Sequence, residues 1–579
     1  MSMGAFAIET ARCVIVRSGW RGLVAIVWHN LVIQRMQYDS FVTREAERDM
    51  PTVTAGESRR ISLVMPIYNP SLDLLQAAIG SVRSQGYTDW ELCLADDCSP
   101  DPAVRPFLEQ LTRDDSRIRC VYRGRNGHIS AASNSALEMA TGEFVALLDQ
   151  DDLLSATALA RVASMIQQQP DLDLIYSDED KLDQQGQRFG PYFKPDWNWG
   201  QMVSHNMFSH LGVYRTALLR EIGGFTPGLE GSQDYDLVLR ASERTMPERI
   251  GHCPDILYHW RVSATSTAMN PNAKRYAFDA GARAIQRHLD RTGRHGQVRH
   301  SDWLGLYAID WTLPQALPSV GIIEWNGGRV VRAQPLSFGD PWPARASSSA
   351  SRERLSVQNF QNTGLASALD EAIRSLAVEY VVLIHSSCCP TASAWWQTLV
   401  ATAVQTQADI VGGKLVTPNG RVRHASYVIG TDGRVLEIGR HMPMGIPGPY
   451  RWLESLRECA AVSGAAALVR RDLVDETGGL AGLCAMYGWW DVGLGLEAMR
   501  RKRPVLWTPH VQMTTTAAED RLLVTLDEPA ESAFRERRLA ALDGRRFYSI
   551  HHDESGRDFE ILVSAGPARL HHPPHVAEA

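Results

Sequence analysis

Between residues 61 and 148 the chain alternates between two textures. Ile61-Ser-Leu-Val-Met65 is a short apolar run stopped by Pro66, the pattern of a strand covered on both faces. Helical periodicity follows from Leu72 to Gln85. A second apolar run, Glu91-Leu-Cys-Leu-Ala95, ends at Asp96-Asp97. A helix over Ala103–Arg113, a strand over Ile118–Tyr122, a small-residue helix over Ser130–Ala140 and a strand over Glu143–Leu148 complete the series. Strand and helix in strict alternation predict a parallel sheet with helices on both faces. Ligands of such sheets bind beyond the carboxyl ends of the strands. Tyr68, Asp97 and Asp149 lie at those ends.

The same texture returns after a break. Phe338–Arg354 is rich in Pro, Ala and Ser and reads as a linker. Beyond it come a strand over Val381–Ile384, a helix over Ala392–Gln407 and a strand over Asp409–Val416. Five spans are therefore expected: a helical lead-in over 1–58, an α/β domain over 59–300, a connecting region over 301–360, a second α/β domain over 361–530, and an extension with a frayed tail over 531–579.

Composition narrows the picture. Hydrophobic residues make up 44% and charged residues 22% of the 579, as in ordinary globular chains. Lys+Arg total 59 against 66 Asp+Glu, a net charge of −7, so no nucleic-acid partner is expected. Nine scattered cysteines form neither a disulfide framework nor a CxxC zinc pair, and the chain reads as cytoplasmic. Gly22–Ile33, with Arg12, Arg17 and Arg21 upstream and Trp20 and Trp28 alongside, is too short to span a bilayer. It reads first as a packed amphipathic helix, with peripheral contact to the inner face of the cytoplasmic membrane as the other reading.

The densest chemistry is Asp149-Gln-Asp151-Asp152, directly after a strand. Carboxylates this close repel one another, and a hard cation, Mg²⁺ or Mn²⁺, would neutralise them. Asp152 could instead cap the next helix. His252 and the Cys388-Cys389 pair read as structural. Asp178-Glu179-Asp180 reads either as part of an acceptor site or as a solvated turn with Lys181. Trp197 and Trp199 could stack on a sugar or pack in the core.

The ordered set Pro66-Ile-Tyr68-Asn69, Asp96-Asp97-Cys-Ser99, the Asp149 cluster, Ile175–Lys181 (IYSDEDK), Tyr192–Asn198 (YFKPDWN), Gly223-Gly224-Phe225, Glu230–Leu237 (EGSQDYDL) and Leu257–Arg261 (LYHWR) resembles the bacterial family 2 glycosyltransferases of GT-A fold. The nearest likeness is to the O-antigen, capsule and rhamnan-type members, and it covers about residues 60–290. The resemblance implies an inverting, metal-dependent transfer from a UDP- or dTDP-sugar to a glycan or lipid-linked glycan acceptor. It implies that Pro66 and Tyr68 hold the nucleotide base, with Asp97 accepting from its imide N–H. Asp149, Asp151 and His259 would ligate the metal, Arg261 would meet the leaving phosphate, and Asp234 would be the general base. Trp197 and Asp236 fall on the acceptor side, Asp236 with the alternative of a capping or hydrogen-bonding residue for the helix that follows.

Pieces of the C-terminal half are similar to the same family: Gly412–Gly430, Val462–Gly479 and Gly488–His510. The chemistry is missing there. After the strand Tyr380–Ile384 the chain reads His385-Ser-Ser-Cys-Cys-Pro390, and Asp491 keeps the base position without its acidic companion, which is Gly493. The expected architecture is two tandem GT-A-like domains, the second degenerate. The alternatives are a two-site polymerase and a non-catalytic scaffold.

Overall fold

The computed structural model describes residues 34–46, 50–51, 59–262, 275–339, 362–515, 528–542, 544–545 and 547–549. The membrane-contact expectation for Gly22–Ile33, much of the Phe338–Arg354 linker and the tail beyond 566 lie outside them. No described helix is long and apolar enough to cross a membrane.

The first sheet is built from β1 (Ile61–Ile67), β2 (Trp90–Asp96), β3 (Ile118–Tyr122), β4 (Phe144–Leu147), β5 (Leu153–Leu154), β6 (Leu174–Leu182), β7 (Arg188–Tyr192), β8 (Gly212–Arg215) and β9 (Ile250–Arg261). Its order is β3-β2-β1-β4-β8-β6-β9-β5, with β7 on β6. The first four strands run parallel, β8 is antiparallel to β4 and β6, and β9 is parallel to β6. This mixed sheet with helices on both faces is the expected GT-A-like fold.

The period-two alternation of β1 divides its side chains between two cores. Ile61, Leu63, Met65 and Ile67 pack with Leu75, Ala78, Ile79 and Val82 of helix Leu72–Arg83, whose spacing makes one helical stripe. Val64 faces the other way, in the same core as Ala132, Ala136 and Leu137 of helix His128–Met139. One expectation fails here: Asp152 caps no helix, because Leu153–Leu154 is a strand and the next helix begins at Ala158.

A hairpin of β10 (Gly296–His300) and β11 (Tyr307–Trp311) leads into the second sheet. That sheet contains β12 (Val320–Asn326), β13 (Arg329–Leu336), β14 (Tyr380–His385), β15 (Cys388–Pro390), β16 (Ile410–Val416), β17 (Val422–His424), a separate hairpin of β18 (Tyr427–Ile429) and β19 (Val435–Glu437), then β20 (Arg457–Glu458), β21 (Ala466–Arg470) and β22 (Val505–Thr515). The second sheet therefore starts at Val320, ahead of the linker Phe338–Arg354.

Its order, β13-β12-β14-β21-β16-β22-β15 with β17 on β16, repeats the first sheet strand for strand from β12 onward. β12 and β14 are parallel, β21 is antiparallel to β14 and β16, β16 and β22 are parallel, and β15 is antiparallel to β22. The difference lies at one edge. Where β1 is flanked by parallel β2 and β3, β12 carries only the antiparallel β13.

Candidate functional site

The site forms where the parallel strands end. Tyr68 follows β1 and is 49% exposed, whereas Asp97 after β2 is 1% exposed. Gln150 ties the β1 and β4 ends together: its Oε1 accepts from the Tyr68 N–H at 2.9 Å and its Nε2 donates to the Tyr68 carbonyl at 3.3 Å. The Asp97 carboxylate accepts from Arg123 Nε at 2.7 Å and from the Gly127 N–H at 3.0 Å. Arg123 also donates to the Ala131 carbonyl and to Ser135 Oγ. Asp97 is thus braced against the start of helix His128–Met139.

Asp152 is buried after β4. Its Oδ2 accepts from the Tyr258 hydroxyl at 2.6 Å and its Oδ1 from the Arg261 N–H at 2.7 Å, while Arg261 Nε donates to the Asp151 carbonyl at 3.0 Å. The last turn of β9 therefore clasps the aspartate loop. Burial, then the neighbouring Asp149 and Asp151, push the Asp152 carboxyl well above the usual carboxylate range. That is the electrostatic signature of a cluster that a cation would relieve.

The histidine that joins this cluster is His210, in place of the expected His259. Asp149, Asp152 and His210 bring ligand atoms within 4.8 Å of one another, the one such grouping among the described residues, and neither Asp151 nor His259 belongs to it. The cause is strand alternation. Tyr258 faces the aspartates and stacks on the His210 ring, centroids 4.5 Å apart. His259 is turned to the opposite face, where its Nδ1 meets Asp180 at 2.5 Å. Asp180 there also accepts from Tyr38 and from Arg188 Nε at 2.5 Å, and Arg188 reaches Glu45 at 2.7 Å. This polar network joins helix Gln34–Ala46 to the back of the sheet.

The acidic run Asp178-Glu179-Asp180 is neither a solvated turn nor an exposed wall, since all three residues are buried in β6. Glu179 accepts from the His210 N–H at 2.8 Å and from Ser209 Oγ. Lys194 donates to the carbonyls of Phe208 and His210 at 2.8 and 2.7 Å. Asp178 accepts from the Lys194 N–H at 2.9 Å and pairs with His252 at 2.8 Å. Two of the sequence motifs thus fix the loop that presents His210. Sequence reasoning missed His210, and its only signal was a polar residue just ahead of a buried strand.

Asp234 lies in the first turn of helix Gln233–Ser242, half-buried, and its Oδ2 accepts from Asn206 Nδ2 at 2.8 Å. Asn206 and His210 stand at the two ends of one loop, which cannot reach further than about 14 Å even fully extended. The candidate base and the cation cluster are therefore tied to the two ends of one short loop.

For two acceptor-side residues the structural alternative holds instead. Asp236 is buried and bound to Arg240 Nε at 2.7 Å, and Arg240 in turn holds the Ile222 and Gly224 carbonyls. Trp197 is buried in the core, edge-on to Phe208 at 6.5 Å. Neither presents a face to a ligand.

In the second unit His385 ends β14, buried, with Nδ1 on Ser387 Oγ at 2.8 Å and its ring against Trp325. Asp491 opens helix Trp490–Arg500 as Asp234 opens its own, but it is 4% exposed and accepts from the Gly464 and Val492 N–H groups. Burial pushes its carboxyl up to about 7. Cys388 is buried, Cys389 half-buried, and neither is in a disulfide.

Residues 62–223 match the family described as glycosyl transferase family 2. The chain is 37% identical over 484 residues to the protein y4gI of Sinorhizobium fredii, covering 78% of this chain and 52% of that one. It is 31% identical over 498 residues to the O-antigen biosynthesis protein RfbC of Myxococcus xanthus, covering 81% of this chain and 39% of that one. It thus spans about half or less of the length of these relatives. Among solved structures, S. aureus TarS 1-349 is 21% identical with a TM-score of 0.33, over 40% of this chain and 65% of that one; this likeness bears on neither substrate nor mechanism.

Proposed function

With residues 62–223 carrying a family 2 glycosyl transferase domain, we propose that this chain moves a sugar from a UDP- or dTDP-activated donor onto a growing surface polysaccharide or lipid-linked glycan at the inner face of the cytoplasmic membrane. The observation that carries the reading is the single loop that holds Asn206 against Asp234 at one end and His210 beside Asp149 and Asp152 at the other. A hydroxyl nucleophile, its proton acceptor and a diphosphate leaving group need such an adjacency.

Tyr68 would stack on the base, beside Pro66 of the same strand end. Asp97 would accept from the imide N–H of uracil or thymine, because a carboxylate offers about four acceptor positions and Arg123 and Gly127 engage only part of them. Asp234 takes the proton of the acceptor hydroxyl as its oxygen bonds to the anomeric carbon and the bond to diphosphate breaks. Attack from the side opposite the leaving group inverts that carbon. Mg²⁺ or Mn²⁺ held by Asp149, Asp152 and His210 would supply positive charge to the departing diphosphate. Asp151 and Arg261 shape the loop, and Arg261 adds charge beside the phosphate.

The second unit, in this reading, does not transfer sugar. Among the described residues it has no counterpart of β2 and β3, the turn His385–Pro390 after β14 carries no carboxylate, and Asp491 is sealed from solvent.

Calorimetric titration of the whole chain with UDP and with dTDP, with Mn²⁺ and with chelator, tests both statements. One metal-dependent site per chain is expected; two sites would restore a two-site polymerase, and no binding would leave a scaffold. Asp234→Asn is expected to keep nucleotide affinity and to lose transfer by about 100-fold or more. Retained turnover removes Asp234 from the base role.

A further inference from the structure

We propose that the second unit positions the catalytic base of the first, through a strap of residues 198–206 clamped between the two. The proposal rests on the reading of Asp234 as the base. The strap begins at Asn198 and ends at Asn206, the residue whose amide holds Asp234.

Its first residue is paired with the second unit like a short piece of sheet. Asn198 Nδ2 donates to the Glu458 carbonyl at 2.9 Å, and Asn198 Oδ1 accepts from the Glu458 N–H at 2.9 Å. The same Oδ1 caps the strap's single helical turn by accepting from the Gln201 N–H. Glu458 Oε1 accepts from the Trp199 N–H at 3.1 Å. One asparagine thus starts the turn and docks it on β20.

The next residue is Gly200, and its identity is dictated by the clamp. A Cβ there would stand 2.8 Å from Arg457 Cα and 3.0 Å from Arg457 N. Both are backbone atoms of a fully buried residue whose guanidinium lies 3.8 Å from the Trp452 ring and 4.0 Å from the Trp507 ring. The neighbour cannot give way, so only glycine allows this approach.

Further along, the Ser204 carbonyl accepts from the Tyr307 N–H at 2.8 Å. Tyr307 belongs to the β10–β11 hairpin, and the second unit pins that hairpin too. Gln405 Oε1 accepts from the His295 N–H at 2.7 Å, and its Nε2 donates to the Thr312 carbonyl at 2.8 Å. The strap is thus held at its start by the second unit directly and near its end through the hairpin that the second unit pins. It is also buried at Asn198, Gln201, Met202, Val203 and Ser204, so a shift at Glu458 passes along packed backbone to Asn206. Glu458 and Gly200 are positioning residues in this scheme. Asn206 is the last link, and Asp234 alone meets the acceptor hydroxyl.

The experiment uses the full chain with Mn²⁺ in four variants: Gly200→Ala, Glu458→Ala, Glu458→Gln and Asn206→Ala. Nucleotide release is followed from UDP-glucose and dTDP-rhamnose, UDP affinity by calorimetry, and amide hydrogen exchange by mass spectrometry. Gly200→Ala and Glu458→Ala are expected to speed exchange at 204–206 and 233–236 by about ten-fold or more. They should lower kcat by about ten- to 100-fold with UDP affinity unchanged. Glu458→Gln, which keeps the acceptor for the Trp199 N–H, should restore both readouts, and Asn206→Ala should lower kcat without loosening 198–204. Should Gly200→Ala fail to fold, the Glu458 pair decides. Unchanged exchange at 204–206 and 233–236 in Glu458→Ala overturns the proposal with or without turnover, and so does faster exchange with full kcat. Failure of the base reading looks different: Asp234→Asn would stay active while the exchange pattern of the clamp variants stood.

Discussion

At the residue scale the site depends on side chains that hold backbone as much as on those that meet ligands. Gln150 is the middle residue of an acidic run, yet it spans the β1 and β4 ends. Gln150→Ala frees the Tyr68 peptide, beside the ring proposed to stack on the base, at a cost of about 1–2 kcal/mol in hydrogen bonding. The expected outcome is UDP binding weakened about ten-fold with the fold intact, measured by calorimetry and circular dichroism. Asp491 sets a second expectation. Its carboxyl is held at about 7 in the folded chain against about 3.9 unfolded. The native state therefore keeps a proton that the unfolded chain releases, and this residue's contribution to stability falls as pH rises from about 4 to about 7, then levels off. Asp491→Asn removes that dependence while still accepting from the Gly464 N–H. Its stability relative to the native chain should rise between pH 5 and pH 8, by up to about 4 kcal/mol, read from thermal or denaturant unfolding at each pH.

At the element scale β6 and β9 show how one strand serves two faces. Along β9, Tyr258 turns to the aspartates and His259 to Asp180. Along β6, Glu179 supports the His210 loop while Asp180 receives Tyr38. The helix Gln34–Ala46 is docked by this polar network and by Phe41, whose ring meets Phe193 edge-on at 5.1 Å. Phe41→Ala should cost about 3–4 kcal/mol at that contact, and because the contact is local it should appear first as faster amide exchange over 34–46. Asp180→Asn should loosen the same helix through Arg188 and also disturb β9. Cation-dependent UDP binding then weakens in Asp180→Asn but not in Phe41→Ala. Equal effects on binding would show that His259 plays no part in transmitting the change. The alternation itself is legible in LYHWR, but nothing in five residues says which face looks into the site.

At the scale of the whole molecule the two sheets share one hydrophobic core. The same cluster runs from Val64 and Cys93 through Trp197 and Tyr307 to Trp325, Trp396, Trp507 and Tyr548. A chain cut at residue 315 would expose the strap's docking face and take from Asn198 and Gly200 their contacts with Glu458 and Arg457. Such a fragment is expected to be recovered poorly or, if soluble, to bind UDP yet turn over about 100-fold more slowly than the full chain. Full activity in the fragment would show that the second unit is dispensable. The strand order repeats from β12 onward, and among the described residues one antiparallel strand stands where β2 and β3 flank β1.

The features legible in the sequence alone are local and periodic. Apolar runs of strand length, helical stripes such as Leu75–Val82 and the acidic turn after β4 follow from neighbours along the chain, and they suffice for an α/β sheet with a site at its strand ends. The tertiary structure decided which residues meet across distance. His210 instead of His259 and Trp197 in the core both depend on which face of an element is covered, and by what. That covering comes from segments tens to hundreds of residues away, as with Asn198 and Glu458. No window of sequence contains both partners, and so the pairing appears only once the chain is packed.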